Sequence, residues 1–103
     1  MIEYIRDAVP EEELLAQLAE EATELTHAAL KLRRVLDGRN PTPVRFSEAW
    51  NNFQEEIADV LLCLQVLGVD AEPAAYRYSI EAKLDRWVGR LRAAEEGCFH
   101  GEG

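Results

Sequence analysis

The chain has little of what small proteins use to lock themselves together without a large core. It has two cysteines, Cys63 and Cys98, far apart and in no CxxC pair. That excludes a disulfide framework and a thiolate zinc site. Both thiols are expected to be reduced, as in a cytoplasmic protein. Histidine is equally scarce, with only His27 and His100. His27 follows Glu24 by three residues, a ligand spacing of di-iron bundles, but such bundles need the motif twice. His27 also falls opposite its helix's apolar stripe, so it is expected at the surface, and His100 with Cys98 offers two ligands at most. Cations are short too: 11 Lys and Arg stand against 20 Asp and Glu, a net charge of −9. A charge of that sign excludes electrostatic binding to nucleic acid or to an anionic membrane. A nucleotide substrate stays open, because divalent cations mask acidic sites and phosphates together. No apolar run approaches the ~20 residues of a membrane span, and the first residues are too acidic for a signal peptide. Strand-type alternation is missing as well.

What remains is helical patterning. With 103 residues, 48% of them hydrophobic and 30% charged, one domain spanning 1–103 is expected. Residues 1–9 form a short helical arm. Pro10 suits a helix start, and Glu11, Glu12 and Glu13 suit the positive end of its dipole. A helix then runs to about Leu36 on the stripe Leu14, Leu18, Leu25, Ala29, Leu32 and Leu36, with Gly38 as its stop. Residues 37–46 hold two prolines and a glycine and read as a loop, with Arg39 and Arg45 as solvated charges. Ser47 is the expected N-cap of a helix to Leu67, with Trp50, Phe53, Ile57, Val60, Leu61 and Leu64 on its apolar side and Gly68 as its stop. Asp70 is the expected cap of the last helix, whose face is Tyr76, Ile80, Leu84, Trp87 and Leu91. Gly97 is expected to close it, leaving 98–103 as a flexible tail. The fold class is therefore all-α: a bundle of three main helices and a short N-terminal one, completed by oligomerisation.

Two acidic stretches interrupt these patterns, Glu20-Glu21-Ala-Thr-Glu24 and Glu55-Glu56-Ile-Ala-Asp59. At ~100° per residue, Glu21 and Glu24 fall about 60° and 120° from Leu18 on one side of its stripe. Glu56 and Asp59 fall about 80° and 140° from Leu64, on the corresponding shoulder. One such pattern is ordinarily a solvated helix face. Two of equal spacing, with Asp59 set into the apolar run Ile57 to Leu64, are harder to dismiss, because an unpaired carboxylate is costly there. If the helices pack face to face, four carboxylates converge. They would then repel and take up protons unless a cation sat among them. Hard oxygen ligands suit Mg²⁺, with Mn²⁺ as the alternative. Glu20 and Glu55 point further from the stripes. On the last helix Lys83, Arg86 and Arg90 form a basic stripe, suited either to surface ion pairs or to phosphate.

Glu20-Glu21-x-x-Glu24, then a helix break, then Glu56-x-x-Asp59 followed by Val-Leu-Leu-Cys-Leu, resembles the MazG-like all-α nucleoside triphosphate pyrophosphohydrolases over about residues 14–91. The resemblance implies an oligomeric helical enzyme, a homodimer or homotetramer, that uses Mg²⁺ to hydrolyse a nucleoside triphosphate to the monophosphate and pyrophosphate. It implies metal ligands at Glu21, Glu24, Glu56 and Asp59, supporting acids at Glu20 and Glu55, and phosphate contacts at Lys83 and Arg86. The 31 residues between Glu24 and Glu56 exceed the family's usual spacing, and no base-recognition motif is present. The phosphoribosyl-ATP pyrophosphatases carry a stretch similar to Glu-Glu-Ala-Thr-Glu with a shorter connection. A non-catalytic helical interaction module is the rival of a different class.

Overall fold

In the computed structural model, which describes residues 1–38 and 45–100 and their side chains to position 97, the chain divides into two units, Met1–Ala71 and Glu72–Gly103. All regular structure among the described residues is helical. The first unit holds α1 (Ile2–Ala8), α2 (Glu11–Asp37) and α3 (Phe46–Leu67). The second holds a 3-10 turn, Pro73–Tyr76, leading into α4 (Arg77–His100).

Helix starts and stops follow local chemistry, with three corrections to the boundaries. Pro10 precedes α2 with extended ψ, and Glu11 to Glu13 occupy its first turn. Gly38 and Gly68 end α2 and α3 with φ of 74° and 78°, a conformation that costs a residue with a Cβ about 1–2 kcal/mol. At Gly68 the next amide, Val69 N–H, reaches back to the Leu64 carbonyl at 2.9 Å, closing the terminus in the way Gly favours. Ser47, by contrast, does not cap α3: the helix opens one residue earlier, at Phe46, after an extended Arg45. Phe46 thereby stacks on Trp50, whose ring in turn meets Phe53. Asp70 does not cap α4 either; Glu72 precedes the 3-10 turn that Pro73 opens. Nor does Gly97 end α4, which continues to His100. Gly97 lacks the positive φ that stops α2 and α3, and without it glycine only weakens a helix. Arg39 and residues 101–103 lie outside the described residues, as does the Cys98 side chain.

Thr23 and Thr26 return their hydroxyls to the carbonyls of Ala19 and Ala22. Their polar groups are thus satisfied inside the turn they would otherwise compete with, and α2 runs unbroken through the acidic stretch.

α2 and α3 pack as an antiparallel hairpin. Leu14 lies with Val66 and Leu67 at one end, and Glu21 with Glu56 and Asp59 further in. The seam is a seven-residue repeat. On α2 it consists of Leu14, Leu18, Glu21, Leu25, Ala28, Leu32 and Val35; on α3, of Ala49, Phe53, Glu56, Val60, Cys63 and Leu67, all buried or half-buried. Steps of four and three keep one stripe facing the partner. This rotates both helices from the expected stripes. Ala28 is buried and Val35 half-buried where Ala29 and Leu36 were expected, and Ala29 and Leu36 are exposed. Trp50 and Leu61, expected in the core, are 41% and 47% exposed. The rotation places Glu21 and Glu56 in the seam rather than on its shoulder.

α1 is fixed to α3 by a cation. Arg6 donates from Nε to the Val66 carbonyl (2.8 Å) and from Nη2 to the Gln65 carbonyl (3.2 Å). Those are last-turn carbonyls, at the negative end of the helix dipole. The expected short helical arm is thus present, and it is held by a guanidinium rather than by buried side chains.

Within the second unit, α4 carries Ile80, Leu84, Trp87 and Leu91 on one stripe, all between 46% and 62% exposed. No helix among the described residues is long and apolar enough to cross a membrane.

Candidate metal centre

In an antiparallel helix pair, the residues just before each seam position fall on one side and those just after fall on the other. The rows preceding Leu18, Leu25 and Leu32 and preceding Phe53, Val60 and Leu67 are Gln17, Glu24 and Lys31 on α2 and Asn52, Asp59 and Val66 on α3. The following rows are Leu15, Ala22, Ala29 and Leu36 on α2 and Trp50, Ile57 and Leu64 on α3. The hairpin therefore has a mostly polar side, with Glu24 and Asp59 along it, and an apolar side, with Glu21 and Glu56 in the seam between.

On the acidic side Glu21, Glu56 and Asp59 each bring one carboxylate oxygen to within 4.8 Å of the others. Glu21 and Glu56 are half-buried and Asp59 is exposed. Glu21 is oriented from within its own helix, where Gln17 donates Nε2–H to its Oε1 at 2.8 Å. Glu56 has no such support: its Oε2 is shut off from solvent and has no hydrogen-bond partner. Burial first, and then the Asp59, Glu21, Glu24 and Glu55 carboxylates, push the Glu56 carboxyl above the usual glutamate range. Cys63, one turn beyond Asp59, is a half-buried free thiol. Its pKa is raised by burial and then by Glu21 and Asp59.

Of the four carboxylates expected to converge, three do. Glu24 is exposed and stands outside the triad, close enough to act on Glu56 through space. It lines an open hollow of about 410 Å³ on the α2 face with Glu20, Glu21 and Thr23. Glu20 and Glu55 are exposed, in keeping with their angles. His27 is exposed, as expected. Lys83 and Arg86 are exposed on α4, in the other unit. Gln17 was missed by sequence reasoning, although its position four residues before Glu21 was signal enough for an i, i+4 pair.

The donor set fits a small hard cation. Three carboxylates this close repel one another, and one oxygen shut off from water lacks any donor. A divalent ion would answer both at once, since it offsets the charge and takes the orphaned lone pair. The set is all oxygen, which favours Mg²⁺ or Mn²⁺ over zinc. Chemically the three carboxylates could hold such an ion at an exposed surface, beside the open hollow. Comparison with protein-family models, with curated proteins and with solved structures gave no match.

Proposed function

We propose that the chain is a Mg²⁺-dependent, MazG-like nucleoside triphosphate pyrophosphohydrolase, active as a homodimer or homotetramer and converting an NTP or dNTP to the monophosphate and pyrophosphate. The observation that carries the reading is the meeting of Glu21, Glu56 and Asp59 within 4.8 Å, with the orphaned Glu56 oxygen among them. These three residues would hold the metal, with Glu24 completing the set at its exposed edge and Glu20 beside the open hollow. A divalent ion held by Glu21, Glu56 and Asp59 would supply positive charge beside the phosphates and would make a bound water more acidic. Gln17 keeps the Glu21 carboxylate aimed into the cluster. Once Glu56 is unprotonated it is both ligand and acceptor, so its raised pKa makes the metal compete with a proton. Lys83 and Arg86 are assigned to the departing pyrophosphate, as a point charge and a guanidinium fork. The oligomeric part is supported by the apolar surface left uncovered on α2, α3 and α4.

The test is pyrophosphate release from a panel of common and modified (deoxy)nucleoside triphosphates and phosphoribosyl-ATP, with and without Mg²⁺. Release that requires Mg²⁺ and is lost in Glu56→Ala and Asp59→Ala supports the reading. The best substrate separates an NTP enzyme from a phosphoribosyl-ATP one. No release, together with a melting temperature indifferent to Mg²⁺, would replace the enzyme by a helical interaction module.

A further inference from the structure

The arm that precedes the hairpin is tied down at one point. Val9 stands before Pro10 and is held extended, with φ −114° and ψ 127°, as a residue before proline prefers. α1 and α2 therefore do not run on as one helix, and the arm stays in place only by its own contacts. We propose that α1 is a strap across the end of the α2/α3 seam, latched by Arg6, that opens and closes while the hairpin stays folded.

Three observations carry this. The first is length. α1 has 7 residues, whereas a lone helix needs about 12–15 to persist in water. Released from the hairpin, the arm loses its helix as a whole. The second is packing. No residue of α1 is buried. Under the arm lies a hollow of about 200 Å³, walled by Arg6 and Val9 on one side, by Leu14, Val66 and Leu67 of the hairpin on the other, and rimmed by Glu11. That is room for several waters, so the arm spans a gap instead of filling it and forgoes the dispersion contacts of a packed helix. The third is what opening leaves behind. The Gly68 and Val69 amides donate to the Gln65 and Leu64 carbonyls, so α3 keeps its own terminus when Arg6 departs. The Val66 carbonyl then turns to water. Only the two Arg6 bonds, 2.8 and 3.2 Å, have to break, and a cation on a helix end is held by a field that salt screens. Closed, the strap covers Leu14 and Val66, which are 9% and 4% exposed. Open, it bares them about two turns of α2 from Glu21, and so controls what reaches that end of the seam. The inference rests on none of the catalytic reading above.

The experiment is amide hydrogen exchange of the full chain, resolved by NMR across urea concentrations below the unfolding transition, for wild type and Arg6→Ala. The reporters are the Ile5 and Val9 amides, bonded to the Met1 and Ile5 carbonyls, against the Ala28 and Val60 amides of the seam. In wild type the arm amides are expected to be protected, but about a hundredfold less than the seam amides, and to exchange at a rate flat with urea, since a small opening exposes little surface. Arg6→Ala is expected to lower the arm's protection about tenfold or more, with the urea slope of the seam amides unchanged. Raising NaCl from about 50 mM to about 500 mM is expected to lower the arm's protection in wild type severalfold and the seam's not at all. Arm amides that share the protection and urea slope of the seam overturn the proposal, because arm and hairpin then open as one. No protection in the wild-type arm overturns it as well, since nothing is then closed. Undiminished arm protection in Arg6→Ala removes the latch and overturns it too.

Discussion

Removing the ionisable group at position 56 without removing its shape tests the acidic seam most directly. In Glu56→Gln the side chain keeps its length but cannot titrate. The native carboxyl titrates above the ordinary glutamate value because of burial and four neighbouring carboxylates. In the unfolded chain it titrates at the ordinary value, about 4.5. Between those two values the native state holds more protons than the unfolded state. The slope of stability with pH follows the difference in bound protons, unfolded minus native. It is negative here, so this group makes the metal-free protein less stable as pH rises through the window. Below pH 4.5 the carboxyl is protonated in both states and its contribution is flat. One carboxyl is involved, so the excess is at most one proton. Cys63 is also raised, but from 9.0, and titrates outside the window.

Urea unfolding of wild type and Glu56→Gln from pH 4 to 8, without divalent ions, reads the difference directly. Wild type should show an additional fall across the window that Glu56→Gln lacks, and the variant should be the more stable of the two at neutral pH. With Mg²⁺ the order reverses if the ion binds native wild type, since a native-state ligand stabilises by RT ln(1 + [L]/Kd), about 2.7 kcal/mol at a hundredfold excess over Kd. Calorimetric titration with Mg²⁺ near pH 6, in two buffers of different ionisation enthalpy, should show release of up to one proton, absent in the variant. Parallel pH profiles for the two proteins would refute the desolvated, anion-crowded account of Glu56.

Other consequences are as direct. Arg6→Ala should cost about 1–2 kcal/mol, since two charge-assisted bonds to helix-end carbonyls are lost at a largely exposed site; thermal unfolding should register roughly 4–8 °C per kcal/mol. Arg6→Lys, which keeps the charge but not the fork, should recover part of it. Gly68→Ala should cost about 1 kcal/mol through its positive φ alone, because an added Cβ meets only the far end of Arg6, at 3.9 Å. Leu32→Ala, at a position 8% exposed, should cost about 2–3 kcal/mol, measured by urea midpoint. Gln17→Ala should weaken Mg²⁺ binding while leaving helix content unchanged, read by the Mg²⁺-dependent rise in melting temperature.

How much of this was legible in the sequence depended on the length of the pattern. The long helices were plain, because Leu14 to Leu36 and Phe53 to Leu67 repeat over several turns and Gly38 and Gly68 end them by a backbone conformation that few residues share. Caps were less so. Ser47 and Asp70 have capping side chains, but Phe46 gains a stack on Trp50 by entering α3, and Pro73 imposes its own start. The face was the subtler matter. Counting apolar residues around α3 put Trp50, Phe53, Ile57, Val60, Leu61 and Leu64 on one side, and Phe53, Ile57, Val60 and Leu64 are indeed half-buried. The helix turns so as to bury Ala49, whose small side chain allows α2 to approach, and leaves Trp50 and Leu61 exposed. A hydrophobic count cannot see that preference, because it ranks tryptophan above alanine when closeness of approach rewards alanine. The carboxylates were therefore found but placed on a shoulder, when two of them lie in the seam itself.

That displacement carries an argument about function that propensity alone does not. A seam position wants an apolar side chain, and Leu18, Leu25 and Leu32 show what α2 otherwise uses. Placing Glu21 and Glu56 opposite one another sets local chemistry against the fold, and such conflicts concentrate where function holds them in place. If the conflict exists only for a ligand, removing it should help the fold and end the activity. Glu21→Leu with Glu56→Leu is the test. Charged groups taken partly out of water and replaced by apolar residues of similar volume commonly leave a protein as stable or more so. The double variant should thus melt higher than wild type without Mg²⁺, lose the melting-temperature rise that Mg²⁺ gives, and release no pyrophosphate. Melting lower in spite of retained helix content would mean that the two acids hold the hairpin together, and the case for a ligand built on their cost would fall with that result.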